Sequence, residues 1–268
     1  ALGGAATYAG ISCVFHCNRL NSGDVGIVGV VGTDFDEKDR LTLLNQGLDL
    51  SGVETSSGRT FRWTGSYQGN MAEAETIETQ LNVFENFEAI IPSKYSSPKI
   101  TLCANLHPSI QKNVLKQSLP SRLSLLDSMN LWIEIARNDL IQVMSMVDII
   151  IINDGEVRLL ADDENIVRAG KKVMEMTSAR FLIIKRGEHG VLAFHPDGLI
   201  SLPAFATQTV IDPTGCGDTF AGTLAAYLAK GNGKLTKSEL YEGLIAATVT
   251  SSFTLSAFGI KGLIEMDK

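Results

Sequence analysis

The stretch that decides the fold is Asp212-Pro213-Thr214-Gly215-Cys216-Gly217-Asp218-Thr219-Phe220-Ala221-Gly222. Two glycines one residue apart lead into an apolar helical pattern, in which Phe220, Leu224, Tyr227 and Leu228 recur at spacings of three and four. Backbone N–H groups at the start of a helix bind anions, phosphate above all. The stretch predicts a helix that begins at an anion site; the simpler interpretation is a glycine-softened loop with an ordinary first-turn acid.

Asp218 falls in the first turn of this helix. The helix dipole stabilises a carboxylate there, so we expect Asp218 to stay ionised at neutral pH. An ionised carboxylate beside an anion site suits the removal of a proton from a hydroxyl that attacks a phosphoryl group. Asp218 is therefore the candidate general base.

Three further segments accompany this stretch: Gly3-Gly4 ahead of an apolar helix, Asn153-Asp154-Gly155-Glu156 after an apolar strand, and Lys185-Arg186-Gly187-Glu188-His189-Gly190. In order along the chain, the four resemble the Gly-Gly, N-x-x-E, K-x-G-x-x-G and D-T/P-T-G-A-G-D-x-F-x-G elements of the ribokinase-like (PfkB) carbohydrate and nucleoside kinases. One short motif would be weak evidence, whereas four in order are strong.

The resemblance implies that Asp218 is the catalytic base and that Gly215, Cys216 and Gly217 donate backbone N–H groups to the developing charge. The family usually has Ala or Gly where this chain has Cys216. The thiol is interpreted either as a packing substitution or as a sign of a thiol-sensitive active site.

The resemblance also implies ATP and Mg²⁺ as cofactors. Asn153 would approach the triphosphate, and Glu156 would organise water around Mg²⁺, which keeps several waters when bound. The alternative is a helix start at which the two residues form a capping box. Asp212 and Thr214 match positions that bind a monovalent cation such as K⁺ in some relatives, with turn chemistry as the alternative.

The nucleotide loop would use Lys185 as a phosphate contact, and Gly187 and Gly190 would let the chain pass close to ATP. A solvated strand end and a tight turn between two strands explain the same residues. Asp127 and Asn130 follow another apolar strand, so we expect them near the phosphates or the metal, or in a polar strand-to-helix turn.

For the acceptor pocket, the resemblance implies Gly3 and Gly4, with Arg62 and Asn105 as weaker candidates beside Asp218. Family members commonly carry Asn a few residues after the Gly-Gly pair, whereas this chain reads Ala5-Ala6-Thr7-Tyr8. Relatives also place a first strand and part of a lid ahead of that pair, so we expect such a segment to precede Ala1.

Composition limits the partners. The 268 residues carry a net charge of −7 and are 44% hydrophobic, which predicts a large core and argues against nucleic acid or anionic membrane as a partner. No apolar run approaches the ~18 residues of a membrane span. The cysteines Cys13, Cys17, Cys103 and Cys216 show no metal-binding or paired spacing, which predicts a reduced, cytoplasmic protein.

Apolar runs alternate with helical patterns along most of the chain, which predicts an α/β, doubly wound, mainly parallel sheet with helices on both faces. Strands are expected over 24–31, 99–103, 122–126, 148–152, 180–184 and 190–195. Helices are expected over 5–17, 36–46, 109–117, 137–147, 165–177, 216–230 and 237–252. Residues 1–56 and 93–268 would form the kinase domain.

Residues 57–92 break this alternation with a polar–apolar pattern at 61–67 and 76–84, typical of two antiparallel strands. Ribokinase-like proteins carry a β-sheet lid here, although an edge hairpin without a substrate role fits the same pattern. Phe61, Trp63, Tyr67, Leu81 and Val83 would form one apolar face. We expect this lid to cover the acceptor and to join two subunits in a homodimer.

The sequence thus predicts an ATP-dependent kinase for a hydroxyl of a sugar or sugar acid. A nucleoside kinase of the same family and a non-catalytic nucleotide or sugar sensor are the alternatives, the latter disfavoured because a sensor needs no base. The chain has no P-loop and no protein-kinase H-R-D or D-F-G sequence. It also lacks the G-x-G-x-x-G of dinucleotide dehydrogenases.

Overall fold

A computed structural model describes residues 1–69, 71 and 74–266. Residues 70, 72 and 73 of the predicted lid, and 267–268 at the end of the predicted kinase domain, lie outside the described residues. The strands are β1 (Val25–Gly32), β2 (Leu48–Ser56), β3 (Arg62–Tyr67), β4 (Ala74–Gln80), β5 (Ile100–Cys103), β6 (Leu123–Asp127), β7 (Ile149–Asn153), β8 (Phe181–Lys185), β9 (Val191–His195) and β10 (Gly198–Leu202).

The helices begin and end close to the predicted bounds. They are α1 (Ala5–Leu20), α2 (Glu37–Asn45), α3 (Pro108–Gln117), α4 (Asn130–Ile135), α5 (Arg137–Met144), α6 (Asp154–Ala161), α7 (Ile166–Thr177), α8 (Cys216–Lys230), α9 (Lys237–Leu255) and α10 (Lys261–Ile264). The sequence reading missed α4, α6 and α10 as helices, and β2 and β10 as strands.

The central sheet has six strands in the order β10-β9-β8-β7-β6-β5. Strands β5 to β8 are parallel, while β9 and β10 run antiparallel at one edge. Strand β7 is apolar because both of its faces are covered, and Ile149, Ile150, Ile151 and Ile152 are fully buried. The α/β, mainly parallel fold predicted from the sequence is confirmed.

Two hydrophobic clusters cover the two faces of this sheet. One includes Leu140, Leu160 and Val173 of α5, α6 and α7, and the other includes Leu224 of α8 and Leu244 of α9. Helix α8 also packs closely on α1, since a side chain at Gly222 would collide with the carbonyl of Ala9. The carboxyl ends of β6, β7 and β8 and the start of α8 therefore share one edge of the sheet.

Two smaller sheets lie outside this core. Strands β1 and β2 form a parallel pair, and β3 and β4 form the antiparallel pair expected for a lid. Strand β4 ends at Gln80, so the predicted strand over 76–84 is too long. Residues 82–84 form a 3₁₀ turn, and Phe84 contacts Phe61 and Phe87 edge to face.

The apolar side chains expected on one lid face divide between several surroundings. Phe61 packs on Phe84, and the Tyr67 hydroxyl accepts a hydrogen bond from Thr214, whereas Leu81 (43% exposed) faces water. None of the described helices is long and apolar enough to cross a bilayer.

Candidate active site

Three neighbouring parallel strands end in polar residues at the same edge of the sheet. Asp127 ends β6, Asn153 ends β7 and Lys185 ends β8, and Asn153 lies opposite Lys185 in the strand register. The carboxyl edge of an open α/β sheet is where ligands bind. Because the three strands end at this edge, Asp127, Asn153 and Lys185 lie close together, although 58 positions of sequence separate Asp127 from Lys185.

Lys185 forms a buried ion pair with Asp127. Its Nζ lies 3.0 Å from Oδ1 and 2.8 Å from Oδ2 of Asp127, whose side chain is 5% exposed. Burial lowers the pKa of Lys185, but the carboxylates of Asp127, Glu156 and Asp218 raise it by more, so the ammonium stays charged. Burial raises the pKa of Asp127, and Lys185 opposes that shift.

The start of α8 presents free N–H groups to this edge. Gly215 caps the helix in the left-handed conformation, with φ at 81°. The N–H of Cys216 is used within the turn, since it donates to the carbonyl of Pro213 at 3.1 Å. Within the described ranges, no acceptor takes the N–H of Gly217 or Asp218. The N–H groups of Gly217 and Asp218 are therefore available to an anion, whereas the N–H of Cys216 is not.

The carboxyl group of Asp218 does not behave as the sequence suggested. Its pKa is raised to about 7, mainly by removal from water and in addition by the carboxylate of Asp127, while the Lys185 ammonium opposes the shift. The expectation of full ionisation at neutral pH is wrong, because it counted the helix dipole and not the burial. A carboxyl group with a pKa near the working pH is well suited to general base catalysis.

Asn153 and Glu156 form the capping box of α6. The Asn153 side chain accepts from the Glu156 N–H at 2.8 Å, and Glu156 accepts from the Asn153 N–H at 2.8 Å. Burial raises the pKa of Glu156 to about 8, with Lys185 opposing and Asp127 adding to the shift.

This donor set suits Mg²⁺ held mainly by water and phosphate. Within the described part of the chain, no group of three or more His, Cys, Asp or Glu side chains could hold a metal alone. Magnesium does not need such a cage, because it binds through one or two carboxylates, several waters and substrate phosphates. Asn153 Oδ1 and both carboxyl oxygens of Glu156 accept hydrogen bonds within the capping box, so these residues would hold Mg²⁺ through bound water.

The loop after β8 is a tight turn. Residues Gly187–His189 form a 3₁₀ turn, and Gly187 and Gly190 have positive φ. A side chain at Gly190 would collide with the carbonyl of Leu202. The structure thus gives Gly190 a packing reason to be glycine, and its contact with a nucleotide stays a prediction.

A hydrogen bond joins strand β3 to the loop ahead of α8, which contains Asp212 and Thr214. Thr214 Oγ1 donates to the hydroxyl of Tyr67 at 3.2 Å, and the N–H of Thr214 donates to Asp212 Oδ1 at 3.0 Å. The second bond is the turn chemistry considered for Asp212 and Thr214. Strand β3 therefore reaches the loop that immediately precedes α8, the helix that carries Asp218.

Tyr8 is the residue that sequence reasoning missed. It is 2% exposed, and its ring lies close to Gly215, where a side chain would collide with it. Burial raises the pKa of its hydroxyl, with Asp212 and Asp218 adding to the shift. Gly4 caps α1 with φ at 92°, and Gly3 lies beside the Tyr8 ring. The only sequence signal for Tyr8 was that Ala5-Ala6-Thr7-Tyr8 stands where family members commonly carry Asn after the Gly-Gly pair.

Arg62 and Asn105 have partners within the chain. The Arg62 guanidinium pairs with Asp34 at 3.0 Å and is largely exposed. Asn105 accepts a hydrogen bond from the indole of Trp132 at 2.9 Å. Asn130 begins α4. Contacts of these residues with an acceptor stay predictions.

Cys216 packs against α9. Its thiol lies 3.6 Å from the carbonyl of Ser251, and Ser251 Oγ donates to the Cys216 carbonyl at 3.1 Å. Burial raises the pKa of the thiol to about 12, with Asp212 and Asp218 adding to the shift. A thiol that stays protonated is a weak nucleophile, which favours the packing interpretation.

The chain is similar in sequence to two characterised proteins. A cytidine kinase from Thermococcus kodakarensis is 30% identical over 236 residues, covering 85% of this chain and 81% of that protein. The bifunctional protein HldE from Hydrogenovibrio crunogenus is 24% identical over 78% of this chain, which spans 44% of its length.

A putative ribokinase II from E. coli, solved with ATP and Mg²⁺, superimposes with a TM-score of 0.78 at 19% identity, covering 98% of this chain and 86% of that one. The sequence profile of the pfkB family carbohydrate kinases matches residues 9–260. The chain is therefore a member of the PfkB family and a ribokinase-family kinase.

Proposed function

We propose that the protein transfers the terminal phosphoryl group of ATP to a hydroxyl of a small molecule, with Asp218 as the general base. The observation that carries the proposal is the meeting of three features at the start of α8. They are the Asp218 carboxyl group with a pKa of about 7, the free N–H of Gly217, and the buried Lys185 ammonium beside it.

Each feature matches one need of phosphoryl transfer. The Asp218 carboxylate takes the proton of the attacking hydroxyl as the new O–P bond forms. The N–H groups of Gly217 and Asp218 stabilise negative charge on the transferred group. Mg²⁺, when bound, neutralises phosphate charge, and Asn153 and Glu156 are the residues that would hold it. Asp212 and Thr214 are the candidates for a monovalent cation.

For the acceptor, we favour a hydroxyl of a nucleoside, with a sugar or sugar acid as the second candidate. The support is the cytidine kinase relative, which covers most of both chains. This reverses the order of preference drawn from the sequence. The acceptor would lie between Gly3-Gly4, the lid and Asp218, where Tyr8 and Tyr67 supply two phenol groups.

A screen of nucleosides, sugars and sugar acids for acceptor-dependent ADP release tests the proposal. We expect release with at least one nucleoside in the presence of ATP and Mg²⁺, and its loss in Asp218→Asn. Release with sugars only would overturn the acceptor assignment. ATP binding without ADP release for any acceptor would favour the non-catalytic sensor instead.

A further inference from the structure

One buried cation faces three carboxyl groups at the proposed site. Lys185 Nζ contacts both carboxylate oxygens of Asp127, while Glu156 and Asp218 act on it through their charge without a hydrogen bond to it. The ammonium also lies against the start of α8, since a Cβ built on Gly217 would be 2.9 Å from Nζ. The charge is therefore next to a free backbone N–H.

We propose that Asp127 is a positioning residue, which holds the Lys185 ammonium against Gly217 so that ammonium and N–H groups together bind the transferred phosphoryl group. This inference rests on the proposed function and adds a role for Asp127. It gives Asp127 a role other than metal binding, because both of its oxygens accept from the Lys185 ammonium.

Asp127 is held firmly enough to do this. Its Oδ1 accepts from the N–H of Ser128 at 2.9 Å, and its backbone carbonyl accepts from Gln111 Nε2 at 2.9 Å. Gln111 is 1% exposed and also donates to the carbonyl of Ala104 at 2.8 Å. The end of β6 is thus tied to the loop that follows β5.

Asp127 has a second consequence for the base. A Lys ammonium has a flexible four-carbon stem, so without Asp127 it could turn to the next carboxylate. The nearby Asp218 carboxylate would then pair with Lys185 instead of accepting a proton from the acceptor. By occupying Lys185, Asp127 keeps the ammonium for the phosphoryl group and leaves the base free.

A double-mutant cycle tests the inference with Asp127→Asn, Lys185→Met and the double variant. We expect Lys185→Met to lower kcat by about 10²-fold, the low range for a lost charge-stabilising donor. We expect Asp127→Asn to lower kcat by about tenfold, with the acceptor KM nearly unchanged. The double variant should be no worse than Lys185→Met, because the ammonium that Asp127 positions is already absent from that variant.

Asp148→Asn and Lys112→Met are the matched controls. Asp148 precedes β7 at the opposite end of the sheet, and Lys112 is on the surface of α3, so both variants should keep normal kcat. Losses that multiply in the double variant, together with a raised Mg²⁺ requirement in Asp127→Asn, would overturn the inference and make Asp127 a metal-site residue.

Binding provides a readout that does not depend on turnover. By calorimetry, Lys185→Met should lose affinity for a non-hydrolysable ATP analogue and keep its affinity for ADP, and Asp127→Asn should show part of this loss. Equal losses for both nucleotides would overturn the inference. This binding measurement tests the role of Asp127 even if no acceptor gives ADP release. Absence of ADP release would contradict the proposed function but not the inference about Asp127.

Removal of one partner leaves a buried charge, so Asp127→Asn needs a folding control. Circular dichroism reports whether it folds. If it does not, the double variant carries the binding test, because it removes both members of the Asp127–Lys185 ion pair. It should then discriminate between ATP analogue and ADP as poorly as Lys185→Met, and retained discrimination would overturn the inference.

Discussion

Acidic residues at the two ends of the central sheet have different surroundings. At the amino end, Asp148 is half-buried and accepts from the N–H and hydroxyl of Ser124 at 2.9 and 3.0 Å, with Arg180 at 3.7 Å. At the carboxyl end, Asp127, Glu156 and Asp218 share the single ammonium of Lys185.

The comparison shows where the fold tolerates unbalanced charge. Buried carboxyl groups that outnumber their cations are costly, and they hold their protons more tightly as a result. The amino end avoids that cost with local hydrogen bonds. The carboxyl end keeps the imbalance beside free N–H groups, and perturbed carboxyl groups in such a place are typical of functional sites.

The largest effect should come from Asp218→Asn, which removes the base and keeps the shape. We expect kcat to fall by at least ~10²-fold, the lower range for loss of a positioned base. Nucleotide binding should remain, because the N–H groups of Gly217 and residue 218 are unchanged. Asp148→Asn at the other end is the control, and near-normal turnover in Asp218→Asn would show that the base is misassigned.

The raised pKa of Asp218 should also appear in the pH dependence of the reaction rate. Only the ionised Asp218 accepts a proton, and its pKa is about 7. The acceptor kcat/KM should therefore fall about tenfold for each pH unit below 7 and level off above it. The measurement needs a parallel check of folding at each pH. A rate that is flat from pH 5.5 to 8 would contradict a raised pKa at the base.

A smaller effect is expected at the capping box of α6. Asn153→Ala and Glu156→Ala should raise the Mg²⁺ concentration for half-maximal activity several-fold, and both should lose about 1 kcal/mol of stability with the cap. Glu156→Gln separates the two effects, because Gln also serves in capping boxes but carries no charge. An unchanged Mg²⁺ titration in Glu156→Gln would leave only the capping role.

The smallest effect is expected in the lid. Tyr67→Phe removes the 3.2 Å hydrogen bond from Thr214, which should raise the acceptor KM by about two- to tenfold, as for one ordinary hydrogen bond. The KM for ATP should change less. Glu78→Gln, exposed on β4, is the control. An unchanged acceptor KM would contradict a role of the lid in acceptor binding.

The proposed homodimer has its own variant in the same sheet. Trp63 is half-buried on β3, and its indole donates to Thr76 at 3.2 Å. If two lids pair, Trp63→Glu should shift the protein to monomer in sedimentation and raise the acceptor KM more than the ATP KM. A wild-type protein that is already monomeric at micromolar concentration would contradict the dimer.

Much of the fold could be predicted because the strands of a covered parallel sheet are apolar throughout. The observed β7 starts one residue after the predicted strand, and α8 has the predicted bounds. Strand β2 was missed because its alternation of buried Leu48 and Leu50 with Asp49 and Ser51 is short and ends at Gly52. Helix α6 was missed because it starts at Asp154, immediately after β7, with the capping box as its only signal.

By itself, the sequence indicated the family, most of the strands and helices, and the identity of the candidate base, since these depend on local patterns and on motifs of a few residues. Only the tertiary structure decided the state of the charges. Asp127 and Lys185 become partners because adjacent parallel strands end at one edge, and the pKa of Asp218 rises because that edge is enclosed. Burial and charge proximity depend on distances in space, which spacing along the chain does not contain.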